Sequence, residues 1–196
     1  SIGVQLTALG NLPGVARDVE QRALVAAQLA LDVRLRRNDG SRVDVRLRGV
    51  DPSTWAILAG NVHLVRGERF QTGVSELIAG RAVAGQFVGL KPGAHVMLRD
   101  APWTVTGQFR ADDSLWESEL WMDLGALQTG WNAPGRVNEI WLRLESPAAK
   151  ATAQIPAHLC RRYILSKPCK CFSNHKGRTA SSITSDIKTN DPSPVT

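Results

Sequence analysis

The residues that could do acid–base chemistry are few and widely spaced. His63 and His95 are the two histidines of residues 1–149, and Asp112 and Asp113 form a carboxylate pair further along the chain. An imidazole held beside a carboxylate can act as a general acid or base. The histidines are 32 positions apart, and no cysteine or carboxylate stands at ligand spacing beside both. We predict that they lie on strand faces and that the chain has no catalytic residues.

Two groups of residues suggest metal binding, but neither has the spacing that a metal site needs. Residues 112–119, DDSLWESE, lack the alternating ligands and the sharp glycine of a calcium loop. The second group consists of His158, Cys160, Cys169, Cys171 and His175. One residue separates Cys169 from Cys171, whereas zinc knuckles have two to four. The sequence therefore predicts no metal and no cofactor, and a solvated loop or a partner contact at 112–119.

The net charge of the chain arises in its C-terminal segment. Residues 150–196 carry eight of the 24 basic residues and two of the 18 acidic ones, which gives the whole net charge of +6. All six tryptophans precede this segment, and all three cysteines lie within it. Its end is rich in Ser, Thr, Pro and Asp, which is typical of disorder. We predict that residues 148–196 are disordered or foreign to the domain, as after a frameshift. Aromatic residues are too sparse there to predict nucleic-acid binding.

A β-hairpin within residues 24–50 is the clearest local prediction. Charged and apolar residues alternate over 32–36 and again over 43–48. Asn38, Asp39 and Gly40 between them tolerate the positive φ that a hairpin turn needs. One face of the hairpin is therefore apolar and the other charged. Its arginines could bind an anionic partner such as a phosphate or a lipid headgroup, but we favour a solvated strand face.

The stretch 76–109 predicts a strand, a short helix and two further strands. The apolar residues 77–79 end at Gly80, and the segment 81–87 places Val83 and Phe87 on one helical face. Gly89 suits a helix C-terminus, and residues 91–93, Lys-Pro-Gly, indicate a turn. Strands are expected at 95–99 and 103–109, with a turn at 100–102 between them.

Similar patterns predict the remaining elements. Leucines at 6, 9 and 12 indicate a helix or a frayed amphipathic start before Pro13, and a short helix begins near Asp51. Strands are expected at 62–66, 120–123 and 139–145, with a helix at 124–131. The tryptophans could form a shelf for a sugar or a lipid, but we favour packing in the core, because large aromatic side chains suit half-buried strands. The fold class is α+β, a mixed sheet with short helices.

Five short motifs occur in an order that is known from one family. They are LRGVDP (47–52), RGERF (66–70), VGLKPGAHVML (88–98), WTVTGQF (103–109) and LWMDL (120–124). Together they resemble the extracytoplasmic domain of FtsX-like and MacB-like permeases of ABC transporters. The resemblance covers about residues 24–147.

The resemblance implies a two-lobed α+β domain of the MacB-like periplasmic core type at residues 24–147. A helical lead-in at 1–23 would precede it, and the tail at 148–196 would follow. The chain would be a fragment of a bacterial inner-membrane permease, facing the periplasm or the extracellular side, with no enzymatic activity. Its partners would be a cytoplasmic ATPase subunit, a second permease copy or half, and a periplasmic protein or lipoprotein. It would couple ATP-driven motion to the export or extraction of a lipid-linked, lipoprotein or peptide substrate.

Two other functions stay open at this point: a stand-alone β-rich binding module, and an enzyme whose site assembles from His63, His95 and Asp112 or Asp113. No Walker, GxSxG or HExxH motif supports an enzyme. No apolar stretch approaches the roughly 20 residues that span a bilayer. The first ten residues, SIGVQLTALG, lack the basic region of a signal peptide.

Overall fold

A mixed β-sheet organises the chain. The computed structural model describes residues 2–112, 114–146, 149 and 163–166. Within these ranges the strands are β1 (Val25–Arg36), β2 (Arg42–Val50), β3 (His63–Gly67), β4 (Glu76–Gly80), β5 (His95–Leu98), β6 (Ala101–Arg110), β7 (Glu119–Asp123), β8 (Glu139–Arg143) and β9 (Tyr163–Ser166). Their order in the sheet is β3-β6-β4-β7-β2-β1-β8-β9, and β5 also pairs with β6. Strands β2 and β7, β4 and β6, and β8 and β9 run parallel, and the other pairs are antiparallel.

Short helices cover the sheet. They are α1 (Ile2–Gly10), α2 (Ser53–Ile57), α3 (Arg81–Ala84) and α4 (Leu124–Gly130), and a 3₁₀ helix spans Leu115–Ser118. The Asp123 carboxylate begins α4 by accepting a hydrogen bond from the N–H of Ala126 at 3.0 Å. No helix in the described ranges is long and apolar enough to cross a membrane.

Apolar side chains on the two faces of the sheet form separate clusters. Leu77 and Met122 belong to the largest cluster, while the neighbouring residues Ile78 and Trp121 belong to a second, aromatic one. Adjacent residues of a strand point to opposite faces, so these clusters lie on opposite sides of the sheet. A third cluster, which includes Leu9, packs α1 against β1 and β8. Of the two predictions for the N-terminus, the structure therefore shows the helix.

Strand β7 joins two halves of the sheet. It pairs antiparallel with β4 on one side and parallel with β2 on the other. One half contains β3, β4, β5 and β6, and the other contains β1, β2, β8 and β9. The α+β class and the mixed sheet are confirmed, and the expected two lobes are halves of one continuous sheet.

Two predicted boundaries differ from the structure in the segment 81–102. The helix predicted at 81–87 ends at Ala84, and Phe87 instead forms a bridge with Arg37 beyond the end of β1. The turn predicted at 100–102 lies one position earlier, because Ala101 and Pro102 already pair with β5. Arg99 takes the positive φ, +53°, that this turn needs. In both places pairing between strands outweighs the local preference.

The sheet continues beyond the predicted domain boundary at residue 147. Strand β9 pairs in parallel with β8, with Ile140 opposite Tyr163 and Arg143 opposite Ser166. Residues 163–166, within the segment predicted to be disordered or foreign to the domain, thus form a strand of the sheet. Apart from these residues and Ala149, the predicted tail lies outside the described residues, and the division of the chain at 23 and 147 stays a prediction.

Candidate functional site

The two histidines lie far apart on exposed strands. His63 of β3 is opposite Arg110 of β6, and His95 of β5 is opposite Thr104. Arg110 and Thr104 are six positions apart on β6, which corresponds to about 20 Å along the strand. His63 Nε2 lies 3.1 Å from a backbone oxygen, and His95 Nδ1 lies 3.2 Å from the Thr104 hydroxyl. The fold therefore does not bring the imidazoles together. Asp112 is exposed, and Asp113 lies outside the described residues.

The acidic segment 112–119 is not the solvated loop that its composition predicts. Glu117 and Glu119 are only 5% and 8% exposed. Glu117 accepts hydrogen bonds from the Ala111 N–H at 2.8 Å and from Arg81 Nη2 at 3.2 Å. A Cβ on Gly80 would lie 2.2 Å from the Glu117 carbonyl oxygen, so the 3₁₀ helix rests directly on the end of β4. The prediction is wrong for these two carboxylates because their arginine partners come from distant strands and helices.

A buried ionic centre lies on the aromatic face of the sheet. Arg48 of β2 is 3% exposed and binds Glu119 of β7 through two hydrogen bonds, Nε to Oε2 at 2.7 Å and Nη2 to Oε1 at 2.8 Å. Its Nη1 donates to Gln28 Oε1 at 2.9 Å and also to Glu139 of β8. Four neighbouring strands, β7, β2, β1 and β8, are thus joined by one guanidinium group. Such bidentate, charge-assisted hydrogen bonds are among the strongest in proteins.

Tryptophan side chains complete this centre. Trp121 Nε1 donates to Glu119 Oε2 at 2.7 Å, and Trp141 Nε1 donates to Glu139 Oε2 at 3.3 Å. The Arg48 guanidinium lies 4.9 Å from the centre of the Trp141 ring. Each glutamate precedes its tryptophan by two positions, so both side chains lie on the same face of their strand. This repeated Glu-x-Trp pattern, ELW in β7 and EIW in β8, is a sequence signal for the two carboxylates, but it does not identify Arg48 as their partner.

The charge of Arg48 is maintained by its partners. Burial on its own would lower the pKa of Arg48, but the hydrogen bond and charge of Glu119, with a further contribution from Glu139, raise it above its usual value. The guanidinium is therefore cationic at any accessible pH. Both carboxylates are engaged by Arg48 and by indole N–H groups, which is an arrangement for holding strands together and not for proton transfer to a substrate.

A partly buried carboxylate connects β2 to α2. Asp51 Oδ2 accepts a hydrogen bond from the Ala27 N–H at 2.8 Å, and Oδ1 accepts one from the Thr54 N–H at 3.2 Å. Burial raises the pKa of Asp51, and the backbone hydrogen bonds oppose this rise. The helix predicted to begin near Asp51 is thus bound by this side chain, and the contact with Ala27 also fixes α2 to β1.

The charged face of the β1–β2 hairpin is paired internally. Arg34 Nε lies 3.0 Å from Asp44 Oδ1, and Arg46 Nε lies 2.6 Å from Asp32 Oδ1. All four side chains are more than 40% exposed, so each pair contributes little to stability. The solvated strand face that we favoured is thus confirmed for these two arginines.

Three of the six tryptophans lie in the core. Trp103, Trp121 and Trp141 are each at most 2% exposed. Trp116 stacks on Trp141 with ring centres 4.9 Å apart, and Trp55 lies 6.0 Å from Trp121. Core packing, the interpretation that we favoured, is confirmed for the three strand tryptophans, and a ligand shelf is not available to them.

No metal site is formed by the part of the chain that the structure describes, where no three His, Cys, Asp or Glu residues approach one another. The histidine and cysteine residues from 158 to 175 lie outside that part.

The fold matches solved extracytoplasmic domains of transporters. No protein-family model and no curated protein sequence matches the chain. The extracellular domain of the noncanonic ABC-type transporter YknZ from Gram-positive bacteria has a TM-score of 0.55 and 18% identity, over 76% of both chains. The periplasmic region of MacB from Actinobacillus actinomycetemcomitans has a TM-score of 0.48 and 12% identity, over 70% of this chain and 61% of that one.

The match to the YknZ domain defines the class of fold. This chain has the α+β fold of an extracellular domain of an ABC-type transporter, as the resemblance implied.

Proposed function

We propose that this chain is the extracytoplasmic domain of an ABC transporter permease and that it transmits ATP-driven motion without chemistry of its own. The observation that carries the proposal is the match of the fold to a transporter domain over three quarters of both chains. Residues 24–147 would be the moving core, residues 1–23 its lead-in, and residues 148–196 a segment that follows it and adds β9 to its sheet. No residue of the chain would be catalytic, and no cofactor or metal would be needed.

The buried ionic centre supports a mechanical role. Arg48 links β1, β2 and β8 to β7, the strand that joins the two halves of the sheet. Aromatic rings pack around this link, and the ring centres of Phe109 and Trp121 are only 4.7 Å apart. A sheet that is tied together in this way moves as one body, so a displacement at one end reaches the other end.

The partners in this proposal follow from the transporter class. A cytoplasmic ATPase subunit would act through membrane helices, and a second permease copy or half would complete the transporter. A periplasmic protein or lipoprotein would meet the domain outside the bacterial inner membrane. The transported molecule would be lipid-linked, a lipoprotein or a peptide.

Two experiments test the proposal. The DNA on both sides of the coding region should encode in-frame apolar segments of about 20 residues, and a neighbouring gene should encode an ATPase with a GxxxxGK[ST] motif. A tagged copy at the native locus should fractionate with membranes and purify together with that ATPase. A chain that is released in soluble form without an ATPase would favour the stand-alone binding module instead.

The enzyme alternative is tested separately. Replacement of His63 and His95 together by alanine should leave ATP hydrolysis and transport by the purified complex unchanged, because both imidazoles are exposed and distant from one another. A reaction that the wild-type chain catalyses and the double variant does not would overturn the proposal.

A further inference from the structure

The C-terminal half of β1 has an open edge. β1 pairs with β2 over residues 28–36 but with β8 only over residues 25–28. The Asn138 side chain closes the edge at Ala30, donating to its oxygen at 2.7 Å and accepting from its N–H at 2.8 Å. The bridge between Arg37 and Phe87 closes the other end. Residues 31–36 between them form an edge of about 20 Å, long enough for a strand of five or six residues.

Backbone groups of Asp32 and Arg34 face this open edge. In an antiparallel ladder, successive residues direct their N–H and C=O groups alternately to the two neighbouring strands. Ala30 directs its groups toward Asn138, so Asp32 and Arg34, two and four positions later, direct theirs to the same side. No described strand pairs with them there. An edge with free donors and acceptors accepts an added strand.

A groove with both apolar and polar lining residues runs beside this edge. Two adjoining depressions of about 590 and 480 Å³ lie between β1 and β5, and Met97 and Leu35 line both. Met97 is 59% exposed, and Val88 at the far end is 63% exposed. Trp131 closes the near end. An added strand would cover these apolar side chains, which is the arrangement found where proteins bind extended segments.

Positive charge is concentrated along the groove. Arg34, Arg36, Arg37, Arg42 and Arg99 line it, together with a single acidic residue, Asp32. Residues 1–149 carry 16 basic and 16 acidic residues, so this excess is local.

The charge that remains for a ligand comes from the lining arginines that form no salt bridge with a described carboxylate. Asp32 is already paired with Arg46. Arg36 and Arg42 form no salt bridge with a described carboxylate, and Arg37 Nε is buried without a hydrogen-bond partner in the described structure. Charge complementarity therefore favours an acidic ligand.

We propose that the open edge of β1 binds an extended acidic segment of a partner protein by β-strand addition. The backbone of the segment would pair with Asp32 and Arg34. Its side chains would alternate, apolar ones packing on Met97 and acidic ones meeting Arg36 and Arg42 on the other face. The edge would serve a transporter domain and a stand-alone module equally, so this inference does not depend on the proposed function.

Amide exchange tests the proposal directly. The probe is a capped ten-residue peptide of alternating glutamate and valine, and its counterpart has lysine in place of glutamate. In the free protein the Asp32 and Arg34 amides should exchange rapidly by NMR. Saturating glutamate peptide should slow both at least tenfold, and the lysine peptide should not. Unchanged exchange at millimolar glutamate peptide would overturn the proposal.

Charge reversal locates the binding surface. The double variant Arg36→Glu/Arg42→Glu should weaken binding of the glutamate peptide at least tenfold. The matched control, Arg66→Glu/Arg110→Glu, changes exposed arginines on the opposite half of the sheet and should alter affinity less than twofold. Equal weakening by both variants would show nonspecific attraction and contradict the proposal.

Other occupants of the edge give different results. Protection of the same amides that increases with protein concentration alone would indicate a second copy of the chain. Protection by vesicles of anionic lipid, but not by the glutamate peptide, would indicate a membrane surface. Either result would overturn the proposal that the ligand is an acidic segment. The exchange measurement on the wild-type protein decides between them even if a variant does not fold.

Discussion

Replacement of Arg48 by methionine should be one of the most damaging single changes in the protein. Methionine keeps the length and the apolar stem of the side chain but removes the charge. Glu119 would then be buried without a cation, and partly buried Glu139 would keep only the Arg46 guanidinium at 4.0 Å, although each glutamate keeps an indole N–H donor. Removal of one partner from a buried ion pair costs roughly 3–5 kcal/mol. Since domains are stable by only about 5–15 kcal/mol, this is a large fraction of the total.

The loss should be visible in both chemical and thermal unfolding. A change of 1 kcal/mol shifts Tm by about 2–4 °C in a domain of this size, so Arg48→Met should lower Tm by about 6–20 °C. The matched control is Arg46→Met, two residues away on the same strand. The Arg46 side chain is 42% exposed, and its pair with Asp32 and its longer contact with Glu139, at 4.0 Å, should each contribute at most about 1 kcal/mol.

The pH dependence of the variant separates lost charge pairing from lost packing. Without Arg48, burial should raise the pKa of the two carboxyl groups in the folded state above that in the unfolded state. The folded state then binds more protons, so the free energy of unfolding of the variant should increase as the pH falls from 7 to 5. The triple variant Arg48→Met/Glu119→Gln/Glu139→Gln should recover part of the stability and lose the pH dependence.

The reasoning would be refuted if Arg48→Met and Arg46→Met were equally mild, or if Arg48→Met lost stability with no dependence on pH. The first result would mean that the centre does not hold the sheet together. The second would assign the loss to packing and not to the uncompensated carboxylates.

Three further changes test other contacts. Gly80→Ala places a Cβ 2.2 Å from the Glu117 carbonyl oxygen and should reduce the free energy of unfolding in urea by about 1–3 kcal/mol; an unchanged midpoint would contradict this contact. Trp121→Ala empties the centre of the aromatic cluster and should cost about 3–5 kcal/mol by the same assay, whereas a loss below 1 kcal/mol would mean that the ring is poorly packed. The hydrogen bond and charge of Arg34 lower the pKa of Asp44, so Arg34→Gln should raise the midpoint of its ¹³C NMR titration toward the ordinary value. The stabilisation from this pair is present above the unfolded pKa of Asp44 and is lost as the pH falls through the folded pKa. An unshifted midpoint in Arg34→Gln would contradict this stabilisation.

The parts of the fold that could be predicted from sequence are those set by neighbouring residues. Alternation over 32–36 and 43–48, with Asn-Asp-Gly between, gave the β1–β2 hairpin because the turn and both strands lie within 25 residues. The same local reasoning located β4, β7 and α4. It extended the helix at residue 81 too far, because nothing near Phe87 indicates that it bridges to Arg37.

The buried ionic centre could not be predicted because its members are distant in the chain. Glu119 and Glu139 are 71 and 91 positions from Arg48. The alternation of charges places Arg48 on the same face as Arg34 and Arg46, which are exposed. Arg48 is buried because the neighbouring strands β7 and β8 cover this end of the face. The order of strands in the sheet, and therefore the environment of Arg48, is not encoded in any local pattern.

The position of β7 has a consequence for how the protein folds. Its neighbours β2 and β4 precede it by about 70 and 40 residues. Neither strand can therefore pair with β7 until residues 119–123 have left the ribosome or the translocation channel. Until then β2 and β4 each expose an unpaired strand edge, and pairing between strands that are so far apart in the chain is slow. This interval is when nascent chains would cross-pair with one another and aggregate, so a holding chaperone should bind most tightly to chains truncated just before residue 119.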